Sequence, residues 1–250
     1  MKTLFATYVC GSDTYYEYVP YYVYSVLLTQ PEAFVRIYSG STLPDNVKKA
    51  LKTIGDTRFE IVENFNLLKP VAGISDVRII KATRWLLGAE HFKGYDCGYI
   101  GDVDFLIYKE AQTITNYHLQ VCERTGLPFS NMVRPDRRLS GLHFIRCKEY
   151  FKKMQPVIQD AISNNVSKQL KLLTGVIRDE HILYELVREG CGDVGGILNR
   201  PHHGVHLGLL RNGELPKSYS KPHYLNFFEF REIHKIVQNK EVEKVIKIFS

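Results

Sequence analysis

The first half of the chain alternates short apolar runs with amphipathic segments, and this alternation restricts the possible folds more than any other feature. A nearly continuous apolar run at Thr3 to Val9 predicts a buried strand, and Phe34 to Ser39 and Phe59 to Val62 predict a second and a third. Tyr15 to Thr29 predicts a helix despite Pro20, with Val19, Val23, Val26 and Leu27 on one side. Pro44 to Ile54 predicts a second helix, with Pro44 in its first turn and Gly55 at its end. Arg78 to Phe92 predicts a third, carrying Ile79, Ile80, Thr83, Leu86 and Leu87 on its apolar side. Strands separated by helices pair in parallel, so the expected class is α/β: a mostly parallel sheet flanked by helices. Such sheets bind ligands beyond the carboxyl ends of their strands.

The second half is more mixed. Ala111 to Arg124, Glu149 to Asn164 and Asp179 to Glu189 predict helices, Ser140 to Arg146 alternates like a strand, and Tyr224 to Ser250 reads as one or two amphipathic helices. No internal repeat or low-complexity linker divides the chain. It is therefore read as an α/β domain over 1–215 with a C-terminal helical extension over 216–250 that is not an independent domain. A hydrophobic content of 44% over 250 residues excludes a largely disordered protein. The formal charge of +6 fits either ordinary solubility or an anionic ligand.

Cys10, Cys97, Cys122, Cys147 and Cys191 are scattered, with no metal-ligand spacing, which points to a reducing compartment. The opening residues have too short an apolar stretch for a signal peptide, and no window has the roughly 18 apolar residues of a membrane span. The expectation is a cytoplasmic protein. The tail from Lys217 to Ser250 carries seven Lys/Arg against four Asp/Glu, with Phe227, Phe228, Phe230, Ile233 and Ile236 as an apolar face. That face is expected to pack on the domain or a dimer partner, or to rest on the inner face of an anionic membrane.

The segment Tyr99-Ile100-Gly101-Asp102-Val103-Asp104-Phe105-Leu106-Ile107 carries the chemistry. In extended backbone, residues two apart point the same way, so Asp102 and Asp104 are expected to share a face. Two like charges about 4 Å apart repel by roughly 4 kcal/mol at an effective dielectric of about 20. A protein keeps such a pair by protonating one member or by placing a cation between them. Hard oxygen ligands favour Mg²⁺ or Mn²⁺, whose open positions can take a phosphate.

The order of features resembles the GT-A nucleotide-sugar glycosyltransferases, in particular the glycogenin and lipopolysaccharide galactosyltransferase group. The resemblance rests on Arg84 in a helical segment, Tyr95-Asp96 and Asp102-Val103-Asp104. It continues through the turn Leu139-Ser140-Gly141 into a strand, the helix-opening pair Asp179-Glu180 and the late segment His206-x-Gly208-x-x-Arg211. It spans roughly residues 3 to 211. It implies a GT-A (Rossmann-like) fold and a metal-dependent, retaining transfer of a hexose from a nucleotide sugar, a UDP-sugar above all, to a glycan or lipid-linked glycan acceptor.

The same resemblance implies the roles. Asp102 and Asp104 hold Mn²⁺ or Mg²⁺, with His206, or on a different register His203, completing the shell. The family spacing is His-x-x-Gly-x-x-Lys, so this chain is one residue shorter and has arginine for lysine. Arg211 meets the diphosphate, Arg84 approaches the donor, and Val103 and Gly208 line it. Thr7 and Val9 offer backbone groups to the base, Asp13 accepts from base or ribose, and either Tyr15 or Tyr16 stacks on the ring. Ser140 and Gly141 admit the donor sugar. Asp179 and Glu180 face the reacting carbon, where a carboxylate stabilises an oxocarbenium-like centre, attacks it or takes a proton. Glu180 stands where the family often has Gln. Arg78 and Lys81 rank below Arg84, because most helix cations face solvent. Arg134, Arg137 and Arg138 face either an anionic acceptor or solvent.

Two other readings compete. A sugar nucleotidyltransferase would need a basic Gly-rich N-terminal loop, and Cys10-Gly11-Ser12-Asp13 lacks the basic residues. A degenerate, non-catalytic binder of nucleotide sugar or glycan is countered by the intact Asp102, Asp104 and His206. No Walker loop, GxSxG, HExxH or nucleic-acid-binding motif is present, so no nucleic-acid partner is expected.

Overall fold

The computed structural model describes residues 1–72, 76–196, 203–214 and 220–250, except for the side chain of Asp76. In chain order the elements are β1 (Thr3–Val9), α1 (Asp13–Thr29), β2 (Ala33–Ser39), α2 (Asp45–Lys52), β3 (Phe59–Val62), α3 (Asp76–Ile80), β4 (Cys97–Gly101), β5 (Phe105–Ile107) and α4 (Ile114–Thr125). There follow β6 (Phe129–Ser130), β7 (Val133–Arg134), β8 (Arg138–Leu139), β9 (His143–Arg146), α5 (Cys147–Ser163), α6 (Ser167–Lys171), α7 (Asp179–Cys191), β10 (Gly204–His206), α8 (Leu207–Arg211), α9 (Phe228–Val237) and α10 (Lys240–Phe249).

A six-stranded sheet runs in the order β3-β2-β1-β4-β9-β6. Its first four strands are mutually parallel, and β9 runs antiparallel to both β4 and β6. Alternate residues of β1 enter opposite apolar layers. Phe5 and Val9 join one with α1, α9 and α10, and Leu4, Ala6 and Tyr8 join the other with α5 and α7. Burial on both faces is why the sequence of β1 lacks polar alternation. Most tyrosines of α1 serve that core: Tyr18, Tyr21 and Tyr22 are fully covered.

Two expected elements differ. The helix expected over Arg78 to Phe92 is α3 followed by two 3₁₀ segments, Lys81–Leu86 and Ala89–Phe92. Ala82 through Leu87 are all buried, so this segment is inserted into the core and does not lie on it with one wet face. Winding at three residues per turn sets Lys81 and Arg84 on one line. The carboxylate strand ends early, with β4 stopping at Gly101 and the chain bending through Asp102 to Asp104.

At the C-terminal end, Phe230, Ile233, Val237, Val242 and Val245 are buried in the same apolar layer as α1. Tyr21 Oη and His234 Nδ1 lie 2.8 Å apart, and Asn239 Nδ2 donates to Glu17 Oε2. The domain boundary drawn at 215/216 lies outside the described residues.

Candidate active site

The site is built where β4 ends beside β1. The Gly101 carbonyl accepts from Thr7 Oγ1 at 2.8 Å and from Arg84 Nη1 at 3.3 Å. Beyond the bend, β5 leaves the main sheet and pairs antiparallel with β10, setting His206 opposite Phe105. Leu207 N donates to the Asp104 carbonyl at 2.8 Å, so α8 starts against the second aspartate. This clasp brings residues a hundred positions apart in sequence to one place.

Asp102 and Asp104 lie in the turn of chain between β4 and β5, and each carboxylate has its own partners. Asp102 Oδ1 lies 2.5 Å from Arg84 Nη1. The other arm of that guanidinium, Nη2, reaches Asp179 Oδ2 at 2.7 Å, and Trp85 Nε1 donates to the same oxygen at 3.1 Å. Arg84 is buried and stacks 4.3 Å from the Trp85 ring centre. Asp104 Oδ1 lies 3.2 Å from His206 Nε2, and Asp104 Oδ2 lies 2.9 Å from Arg211 Nη2. Arg211 also approaches Tyr15, with Nη2 3.4 Å from its hydroxyl and the guanidinium 4.9 Å from its ring centre. Lys81 Nζ lies 4.1 Å from the same ring centre. His206 stacks on Phe105 at 4.8 Å.

The paired carboxylates split in acidity. Burial, with the like charge of Asp104 adding to it, pushes Asp102 up against the pull of Arg84. Burial also works to raise Asp104, but the hydrogen bond and charge of His206, then Arg211 and Lys81, outweigh it and hold Asp104 below the usual carboxylate range. His206 rises: burial lowers it, and Asp104 more than compensates. Glu180 is pushed up by burial and by neighbouring Asp179 and Asp102. Its carboxylate accepts from Arg138 Nη1 at 2.9 Å.

Two carboxylates and an imidazole form a donor set suited to a hard divalent ion. The backbone around it is cut close. A Cβ on Gly208 would fall 2.7 Å from Asp104 Oδ2 and 3.1 Å from His206 Nε2, and one on Gly141 would collide with Asp102 Oδ2. Yet among the described residues no three such donors gather around one point. Arg84 and Arg211 supply the counter-charge instead, so an ion would have to take the Asp104 oxygen that Arg211 holds.

The remaining expected site residues fall in different places. Tyr15 faces the Asp104 cluster, whereas Tyr16 is buried with its hydroxyl 2.8 Å from Ser41 Oγ, away from that cluster. Asp13 is exposed at the start of α1. Thr7 lies in ladders with both β2 and β4, and Val9 ends β1, where its carbonyl accepts from the Gly40 N–H. The Thr7 side chain props the Gly101 carbonyl.

Val103 is buried behind the bend. Ser140 is held by Asn131 and Met132, which fixes Gly141 against Asp102. His203 is not at the aspartates, since its Nδ1 lies 2.8 Å from Glu110 Oε2 and its Nε2 3.1 Å from His118 Nε2. His202 lies outside the described residues. Lys81 and Trp85 were undervalued by sequence. The signal for Lys81 was its three-residue spacing from Arg84, which matters only once the segment is 3₁₀.

No family model and no curated protein sequence matches the chain. Solved structures do match. The galactosyltransferase LgtC in complex with donor and acceptor sugar analogs is 17% identical over 74% of this chain and 70% of its own, with a TM-score of 0.51. An active-site mutant of LgtC is 14% identical over 95% of both chains, with a TM-score of 0.50. The glycosyltransferase GlyE of Streptococcus pneumoniae is 10% identical over 98% of this chain and 64% of its own, with a TM-score of 0.52. The chain has the GT-A, Rossmann-like α/β fold and resembles LgtC in it.

Proposed function

We propose that this chain is a glycosyltransferase that moves a hexose from a UDP-sugar to a hydroxyl of a glycan or lipid-linked glycan, with retention of configuration. One observation carries the reading: at the carboxyl ends of β1 and β4, Asp102 and Asp104 converge with Arg84, His206, Arg211 and Tyr15. This is where an open α/β sheet binds its ligand.

Each role follows from the chemistry at hand. Tyr15 offers an aromatic face to the base, and Asp13 an acceptor to the ribose. Arg211 binds two diphosphate oxygens with its planar fork, and Lys81 adds a point charge beside it. Gly141 and Gly208 keep the backbone clear for donor atoms. Asp179 is already engaged by Arg84 and Trp85, so it positions Arg84. Glu180 is the carboxylate left for the reacting carbon, where it stabilises positive charge or forms the covalent intermediate of a retaining route.

Asp102, Asp104 and His206 would hold Mn²⁺ or Mg²⁺ once Arg211 turns from Asp104 to phosphate. A divalent ion bound there supplies positive charge to the departing nucleoside diphosphate. The reading places the protein in the cytoplasm, on the strength of five free cysteines. No helix among the described residues is long and apolar enough to cross a membrane. Phe227 and Phe228, exposed at the start of α9, are the residues that would touch a membrane surface.

A thermal-shift panel of UDP, UDP-glucose, UDP-galactose and GDP, each with and without Mn²⁺, tests the reading. Uridine ligands should raise the melting temperature by several degrees only when Mn²⁺ is present. Asp102→Ala and Asp104→Ala should abolish donor hydrolysis while keeping the wild-type circular dichroism. A flat response to every nucleotide would sink the assignment. Full turnover in EDTA would sink its metal component alone.

A further inference from the structure

Of the three arginines in the Arg134-to-Arg138 segment, two are neutralised and one is not. β7 and β8 form a hairpin whose three-residue loop closes with Arg137 in the left-handed region, at φ 58°. From that loop Arg137 Nη2 reaches Glu185 Oε1 at 2.6 Å, and Glu185 has no exposed side-chain surface. Arg138 binds Asp136 at 2.6 Å and Glu180 at 2.9 Å. The hairpin is thus fastened to α7 at two points.

Arg134 pairs directly opposite Arg138. Opposed residues of an antiparallel pair project on the same face, and like charges there repel. Arg134 Nε is sealed from solvent with no acceptor, and its guanidinium makes no ion pair among the described residues. A charged donor held this way lacks an anion, and its neighbour across the hairpin grips Glu180, the carboxylate proposed for the reacting carbon. The hairpin continues into Ser140 and Gly141 beside Asp102. Arg134 thus belongs to the hairpin that leads into Gly141 beside Asp102, whereas Arg211 and Tyr15 stand on the Asp104 side.

We propose that Arg134 recognises an anionic group, a carboxylate or a phosphate, on the sugar acceptor. The inference rests on the transferase reading and narrows its acceptor class. Glucose, glucuronate and glucose 6-phosphate, each titrated by saturation-transfer NMR with and without UDP, test it. At least one anionic sugar should bind about 10-fold or more tightly than glucose, as a charge-assisted hydrogen-bonded pair does.

Arg134→Gln should reduce that sugar to the affinity of glucose. Arg134→Lys should retain part of the preference if the group is a phosphate and little if it is a planar carboxylate. Equal binding of all three sugars to the wild type, or none, overturns the proposal. So does a preference that survives Arg134→Gln. A protein that ignores UDP but keeps an Arg134-dependent preference would overturn the transferase reading and leave Arg134 as the anion contact of a sugar-binding site without an acceptor role.

Discussion

Two arginines each grip one of the two aspartates, and their settings differ. Arg84 is 4% exposed, lies on Trp85, and gives its hydrogens to two carboxylates and a main-chain carbonyl. Arg211 has a side chain 30% exposed, sits on a five-residue helix and holds one carboxylate beside a tyrosine. A buried guanidinium between two carboxylates cannot leave without stranding their charge, whereas a half-exposed one can exchange its partner at little cost. The deep cluster is framework and the shallow one is the working end. The carboxylates follow suit: Asp102 is tied to the framework, and Asp104 to groups able to move.

Arg84→Met should give the largest effect, a loss of about 3–5 kcal/mol in unfolding free energy, because it strands the nearly buried Asp179 and leaves the partly exposed Asp102 without its cation. Urea denaturation measures it. A loss below about 1 kcal/mol would erase the distinction between the clusters. Asp104→Asn should come next, lowering donor turnover about 10²- to 10³-fold, as removal of one aimed electrostatic group does. A fall of that size with an unchanged urea midpoint would place Asp104 in the working end.

Arg211→Gln should cost at most about 1 kcal/mol of stability, as an exposed pair does. Its UDP affinity should fall about 10-fold or more, as loss of a charge-assisted contact to phosphate predicts. Calorimetric titration of UDP reads the second number. Undiminished affinity would leave Arg211 as a plain counter-ion for Asp104.

The halves of the fold were unequally legible. β1 to β4 could be read because each is a mostly apolar run, from the fully buried β1 and β4 to the half-buried edge strand β3, and each crossover has its own periodicity. The segment from Lys81 to Leu86 misled because an apolar pattern that satisfies a helix also satisfies a buried 3₁₀ run. Residue types identified Asp102 and Asp104 as chemistry, but the separate partners they take depend on tertiary contacts from Arg84, His206 and Arg211. The proximity of His206 and Arg211 to Asp104 depends on the β5–β10 ladder, three residues on each strand, too short to show any periodicity. Partnership between Arg138 and Glu180, 42 positions apart, is likewise a tertiary fact.

Glu180 offers the smallest test, and its sign can be worked out. Its acidity is weakened in the fold by burial and by Asp179 and Asp102, against the pull of Arg84 and Arg138. The folded protein thus binds this proton more tightly than the unfolded chain, whose glutamates titrate near about 4.3. The stabilisation tied to that proton is complete below the unfolded value and disappears as pH rises through the folded one. At neutral pH the ionised carboxylate is a net strain that Arg138 only partly relieves. Glu180→Gln should therefore gain stability relative to wild type as pH is raised from 4 to 7, while turnover falls. Melting curves of both proteins across that range decide the point. A gap that stays constant, or moves the other way, would put Glu180 with the framework carboxylates and outside the working end.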